Sequence, residues 1–202
     1  LKHQFRRALI QSVRRLTYDE VLTTAAFDLN TPASGVQQGN NLGELVADSF
    51  LWAVENLEAD APDIPTVSVT ADGVLRADLA KGHISTSQAF DVLSMGVGSD
   101  GTSGFPLVGV YLTGEELKAA AEVDASVTPI MHAAQLYMGG MEYSFNTHRM
   151  FFDRVTSARL YQDTMESEPA EVLGSKNEVS GDFTVTHKER QYTELEDDQL
   201  YR

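Results

Sequence analysis

The 202-residue sequence predicts a mixed α/β (α+β) domain, with helices packed on a predominantly antiparallel or mixed sheet. Three observations carry this. Asn41-Leu42-Gly43-Glu44 and Thr113-Gly114-Glu115-Glu116 both have the capping-box form that opens a helix, and apolar residues follow each at helical spacing. Between and after these helices lie short alternating runs such as Thr66-Val67-Ser68-Val69-Thr70, the pattern of half-buried strands. A content of 42% hydrophobic and 8% aromatic residues belongs to a folded domain with a sizeable core.

Residues 1–16 hold Lys2, Arg6, Arg7, Arg14 and Arg15 without one acid, while Phe5, Leu9, Val13 and Leu16 recur at helical spacing. The segment reads as a basic connector helix; as a membrane-surface helix it is short and its apolar side modest. Residues 1–24 are assigned to this connector and its linker, and residues 25–202 to the domain. Val21-Leu22 and Ala25-Ala26-Phe27 suggest a short strand, followed by a loop at residues 30–35. The helix over residues 42–57 places Leu42, Leu45, Val46, Phe50 and Ala53 on one face, and Pro62 and Pro65 close it off.

Strand 66–70 leads to Asp72-Gly73, a break that suits glycine's freedom at positive φ and aspartate's short side chain. Arg76 emerges just past it, where a guanidinium could grip a carboxylate or phosphate through paired hydrogen bonds. The plainer reading is a surface arginine paired with Asp78 or another acid. Lys81-Gly82 makes a turn, Ser85-Thr86-Ser87-Gln88 starts another helix, and the apolar segment 90–95 follows. Residues 96–101 match the glycine pattern of dinucleotide loops, but a strand at 107–112 follows where that mechanism needs a helix. A flexible loop fits better. Further strands are expected at 135–138, 141–145, 155–161 and 183–186, and residues 198–202 read as the opening of one more. Leu45, Val46, Phe50, Val67, Val69, Leu93, Val108, Val110 and Leu117 form the expected core.

Charge narrows the function. A net charge of −15 opposes nucleic-acid binding, which needs basic surface, and discourages adhesion to anionic membranes. No apolar run is long enough to insert into a membrane. The absence of cysteine excludes disulfides, thiolate metal sites and cysteine nucleophiles. The five histidines (His3, His83, His132, His148 and His187) lack ligand spacing, so no metal is expected on this chain.

Four stretches, in order, give the chain a family resemblance. Asn41-Leu42-Gly43-Glu44-Leu45-Val46-Ala47-Asp48-Ser49 resembles an NLGNLVADA helix start. Asp72-Gly73-Val74-Leu75-Arg76-Ala77-Asp78-Leu79 is similar to an NGGGIRADL segment. Residues 90–96 with 107–117 resemble a VLPFGN…LTGEEL block, and residues 138–145 with Arg154-Val155 echo an SGLRYTYD…RV block. Together they resemble the C-terminal domain of the 5′-nucleotidase and UDP-sugar hydrolase family over most of residues 25–161, with an insertion around residues 98–105.

The resemblance implies an extracytoplasmic (periplasmic, cell-surface or secreted) two-domain phosphohydrolase. In it an N-terminal metallophosphoesterase domain of the same protein holds two divalent metal ions and hydrolyses a nucleotide or related phosphorylated small molecule. This chain would be the nucleoside-binding domain, truncated at its C-terminal end and inactive alone. The resemblance places Arg76 at the substrate, in a cleft with Asp72, Gly73, Met95 and Gly96. It also marks departures: Ala71 stands where the family has asparagine, Met95 where it has a stacking phenylalanine, and Val36 where it has a second arginine. The family's GGDGF loop would lie beyond Arg202. The alternative is a degenerate structural or interaction module of a larger surface or secreted protein.

Overall fold

The computed structural model describes residues 19–31, 40–58, 66–97, 104–162 and 190–202. The basic segment 1–16, Val36 and the expected strand 183–186 lie outside the described residues.

Helix α1 (Asn41–Leu57) begins one residue earlier than its sequence signature suggests. Asn40, rather than Asn41, is the cap: its Oδ1 accepts from the Leu42 and Gly43 N–H groups at 3.0 and 2.9 Å. The side chain of Asn41 is used elsewhere, tying the helix start to the Asp28 carbonyl and the Asn30 N–H at 2.9 and 3.1 Å. Two later helices form full capping boxes, α2 (Thr86–Val92) on Ser85 and Gln88 and α3 (Gly114–Val127) on Thr113 and Glu116.

The strands fall into small antiparallel sheets. Strand β1 (Val21–Ala25) pairs with β3 (Gly82–Ser85), and β2 (Ser68–Ala71) pairs with β5 (Leu136–Gly139). Strand β4 (Leu112–Thr113) pairs with β9 (Leu200–Tyr201), while β6 (Met141–Phe145), β7 (Val155–Gln162) and β8 (Gln191–Glu194) form a three-stranded sheet. Between β5 and β6 the chain turns at Gly140, whose φ of +80° and close approach to the Thr66 carbonyl leave no room for a side chain.

Helix α1 packs on β2 and β5, and the fold buries two apolar clusters. One joins Leu42, Val46 and Ala47 of α1 to Leu75, Leu79, Ile84, Val92 and Tyr137. The other gathers Leu117 and Ala121 of α3 with Met138, Met141, Ala158, Leu195 and Tyr201.

Of the expected core, Val46 and Leu117 are buried, and Phe50, Val67 and Leu93 are half-buried. Leu45 is 48% exposed because the buried stripe of α1 runs through Leu42, Val46 and Ala47, which turns Leu45 outward. Val69, Val108 and Val110 are exposed as well. The expected strand over 107–112 survives only at its end, since β9 reaches no further than Leu112 and Thr113. The preceding residues have the alternation of a strand but no ladder partner among the described residues. Two strands go beyond the sequence pattern: β3 starts at the glycine expected to make a turn, and β8 is polar and exposed along its length.

This burial makes a sharp contrast testable by thermal denaturation. Leu42→Ala removes a side chain with no exposed surface and should cost about 2–5 kcal/mol. Leu45→Ala, three residues on, should change stability by less than about 1 kcal/mol.

Candidate functional site

The loop after β2 is built from its own sequence. A 3-10 turn over Asp72–Val74 closes with the Leu75 N–H donating to the Asp72 carbonyl at 3.0 Å. Leu75 then enters the first apolar cluster, and this anchor leaves the next residue, Arg76, facing solvent. The Arg76 N–H donates to the Val92 carbonyl at 2.8 Å, and its guanidinium Nη1 donates to the Gly73 carbonyl at 3.1 Å. The end of α2 is thereby joined to the arginine loop.

That second loop carries Met95 and Gly96. The Met95 N–H turns back to the Leu93 carbonyl at 2.8 Å, and the side chain is half-buried. Gly96 sits at φ +91°, exposed, and its carbonyl accepts from the Gly104 N–H at 2.9 Å. Asp72 points the other way. Its Oδ1 accepts from the Tyr137 hydroxyl at 2.8 Å, and its Oδ2 lies 3.9 Å from His132 Nε2.

The suggested pairing of Arg76 with Asp78 is not formed, because Asp78 Oδ1 accepts from the Thr31 N–H and hydroxyl at 2.8 and 3.1 Å. Arg76 makes no ion pair with a carboxylate among the described residues. The structure thus brings Arg76 and Gly73 into direct contact, with Asp72 turned inward as a support. Met95 and Gly96 lie on the segment after Val92, the residue whose carbonyl holds the Arg76 N–H, and make no hydrogen bond to Arg76.

Tyr137 is the member that sequence reasoning passes over. Its ring is buried against Gly43 so closely that a Cβ there would lie 2.3 Å from it. The phenol therefore links the first turn of α1 to the loop of Arg76. Burial, and then the Asp72 carboxylate, push its ionisation well above the ordinary phenol range. Only the strand around Tyr137 is legible in the sequence; nothing in its local pattern signals this contact.

Hollows of defined volume lie elsewhere. A cavity of about 340 Å³ is lined by Glu44, Asp48, Asp124, Tyr137, Tyr143, Tyr161 and Arg190, among others. In it the Tyr143 hydroxyl donates to Asp124, the Tyr161 hydroxyl donates to Asp48 at 3.1 Å, and the Arg190 guanidinium lies 4.0 Å from the Tyr161 ring centre. An apolar groove of about 520 Å³ runs between β2 and the segment 106–110. Among the described residues no group of three or more His, Asp or Glu side chains could hold a metal ion, and no helix is long and apolar enough to cross a membrane.

The buried phenols give a pH signature. Burial and Asp48 push Tyr161 up to about 12, and Tyr137 and Tyr143 are displaced in the same direction. Each phenol ionises less readily folded than unfolded. Their stabilising contribution is therefore complete below pH ~10 and is lost as pH rises through the folded values. Denaturant melts should show stability falling from pH ~10 to pH ~12, and Tyr161→Phe should flatten that fall.

The sequence profile described as 5′-nucleotidase, C-terminal domain, matches residues 20–172. No curated protein matches the chain. Among solved structures, a 5′-nucleotidase precursor from Thermus thermophilus is similar with a TM-score of 0.64 and 23% identity, covering 98% of this chain and 30% of that one. The NAD nucleotidase of Haemophilus influenzae is similar with a TM-score of 0.52 and 15% identity, covering 93% of this chain and 28% of that one. The chain thus spans less than a third of the length of either.

Proposed function

Because the chain belongs to the family of 5′-nucleotidase C-terminal domains, we propose that it is the nucleoside-binding half of a two-domain, metal-dependent phosphohydrolase acting on nucleotides or related phosphorylated molecules. The observation that carries this reading is the exposed guanidinium of Arg76. It stands past the turn that follows β2, with one guanidinium N–H on the Gly73 carbonyl and its backbone N–H on the Val92 carbonyl at the end of α2. In a chain of net charge −15, such a group is a local exception suited to an anionic or oxygen-rich ligand. Its remaining donors can take two oxygens side by side.

The division of labour follows from the residues. Hydrolysis belongs to a metallophosphoesterase domain outside this chain, where two divalent ions would activate the attacking water. In this reading, this chain's part is to bind and orient. Asp72 and Tyr137 hold the arginine loop, Arg76 grips polar atoms, and Met95 offers a soft apolar surface to a base. Methionine lacks the stacking of an aromatic ring, which is worth about 1–3 kcal/mol per base, so affinity falls by roughly 5- to 150-fold. An extracytoplasmic location goes with this reading. The two solved relatives are named as nucleotidases, which fits the same substrate class.

The departures at Val36, Ala71 and Met95 favour a second reading, in which nucleotide recognition has been lost and the domain serves as an interaction module. Calorimetric titration with adenosine, uridine and their monophosphates separates the two. The proposal expects weak binding that Arg76→Ala lowers by at least about tenfold, with an unchanged circular dichroism spectrum. It also expects no metal-dependent phosphate release by the chain alone. Equal binding after Arg76→Ala, or no binding of any of the four, would leave the interaction module as the reading to keep.

A further inference from the structure

One half-buried side chain beside the arginine turn has no role in the contacts described so far. His132 opens the 3-10 turn His132–Ala134, which lies between α3 and β5. Both of its ring nitrogens are buried, and neither has a hydrogen-bond partner among the described residues. Polar atoms left unbonded out of reach of water are costly, so an imidazole in this state marks strain or a second position. An acceptor stands just out of range. His132 Nε2 lies 3.9 Å from Asp72 Oδ2, about 1 Å longer than a hydrogen bond. The other carboxylate oxygen, Oδ1, is taken by the Tyr137 hydroxyl at 2.8 Å.

The backbone around this gap leaves little else free to move. The turns Asp72–Val74 and His132–Ala134 pack so closely that a Cβ on Gly73 would lie 2.9 Å from the Ala133 carbonyl oxygen. The Asp72 N–H donates to the Gln135 carbonyl at 2.8 Å, and the Gln135 N–H donates to the His132 carbonyl at 2.9 Å. The remaining freedom lies in the His132 and Asp72 side chains and in the Gly73 peptide. That peptide's carbonyl holds the Arg76 guanidinium at 3.1 Å.

We propose that His132 and Asp72 form a latch with two positions, the open one described above and a closed one in which His132 Nε2–H donates to Asp72 Oδ2. In the closed position both carboxylate oxygens are held, one by Tyr137 of β5 and one by the turn that precedes it. The turn carrying Gly73 and leading to Arg76 is then fixed from two sides. His132 is thus a positioning residue that acts on Arg76 through Asp72. Its effect on binding rests on the reading of Arg76 as the gripping group, whereas the latch itself does not.

NMR on the free protein at fixed pH tests the latch apart from any nucleotide. Relaxation dispersion should show the amides of residues 72–74 and 132–134 exchanging at one common rate. His132→Phe keeps a ring but cannot donate, and it should abolish that exchange while leaving the β6–β7 amides unchanged. In the unmodified protein, a long-range proton–nitrogen correlation should place the imidazole proton of His132 on Nε2. Absent exchange, separate rates, exchange that persists in His132→Phe, or a proton on Nδ1 alone would each overturn the proposal. Titration with adenosine monophosphate then tests the positioning role, and His132→Phe should bind it several-fold more weakly. Unchanged affinity in a variant that has lost the exchange would overturn that role. No binding by the unmodified protein would overturn the reading of Arg76, and the positioning role with it, but not the latch.

Discussion

The packing of the Tyr137 ring against Gly43 is the constraint from which the site takes its shape. One aromatic residue on β5 reaches two places at once, pressing its ring on the first turn of α1 and giving its hydroxyl proton to Asp72. Only glycine can occupy position 43 under that ring, so the helix start and the strand are locked in register. The hydrogen bond carries the same lock into the 3-10 turn after β2. Leu75, anchored in the apolar cluster beside Tyr137, then fixes which way Arg76 faces. An exposed side chain thereby gets a rigid base.

The second cluster is organised around a buried carboxylate. Asp124 of α3 accepts from the Thr128 hydroxyl and the Leu136 N–H at 2.8 and 2.6 Å, and from the Tyr143 hydroxyl. A polar group so enclosed is tolerable only with its oxygens occupied, and these three donors come from α3's own end, from β5 and from β6. Strand β5 therefore serves both clusters, through Tyr137 on one side and Met138 on the other. Nearby, Glu122 binds the Arg154 and Val155 N–H groups at 2.9 and 2.6 Å, fastening the start of β7 to α3. These polar ties join small sheets that would be weak alone.

How much of the fold is legible in the sequence follows from how local each signal is. Capping boxes involve residues three apart, and those at Ser85 and Thr113 form as written. At the first helix the pattern is displaced by one, because two consecutive asparagines compete and a distant loop claims the side chain of Asn41. The mixed α/β class is readable from such local patterns, as is the exposure of Arg76 just past a strand. Burial is less so: Leu45 and Val69 are apolar, but which face is covered depends on neighbours far along the chain. The strand pattern of 107–112 outlives its pairing for the same reason. Tyr137 gives no sign at all, since its partners Gly43 and Asp72 belong to elements far back along the chain. The family resemblance does better because an ordered set of blocks carries tertiary information that no single motif holds.

The account rests on the loops of Arg76 and Met95 forming one ligand surface. The most direct measurement is the set of backbone amide shifts on titration with adenosine monophosphate. The account predicts that residues 73–76 and 93–96 move together, with a common saturation curve, while the tyrosine-lined cavity around Tyr143 and Tyr161 stays still. Shifts centred on that cavity, or on one loop without the other, would contradict it.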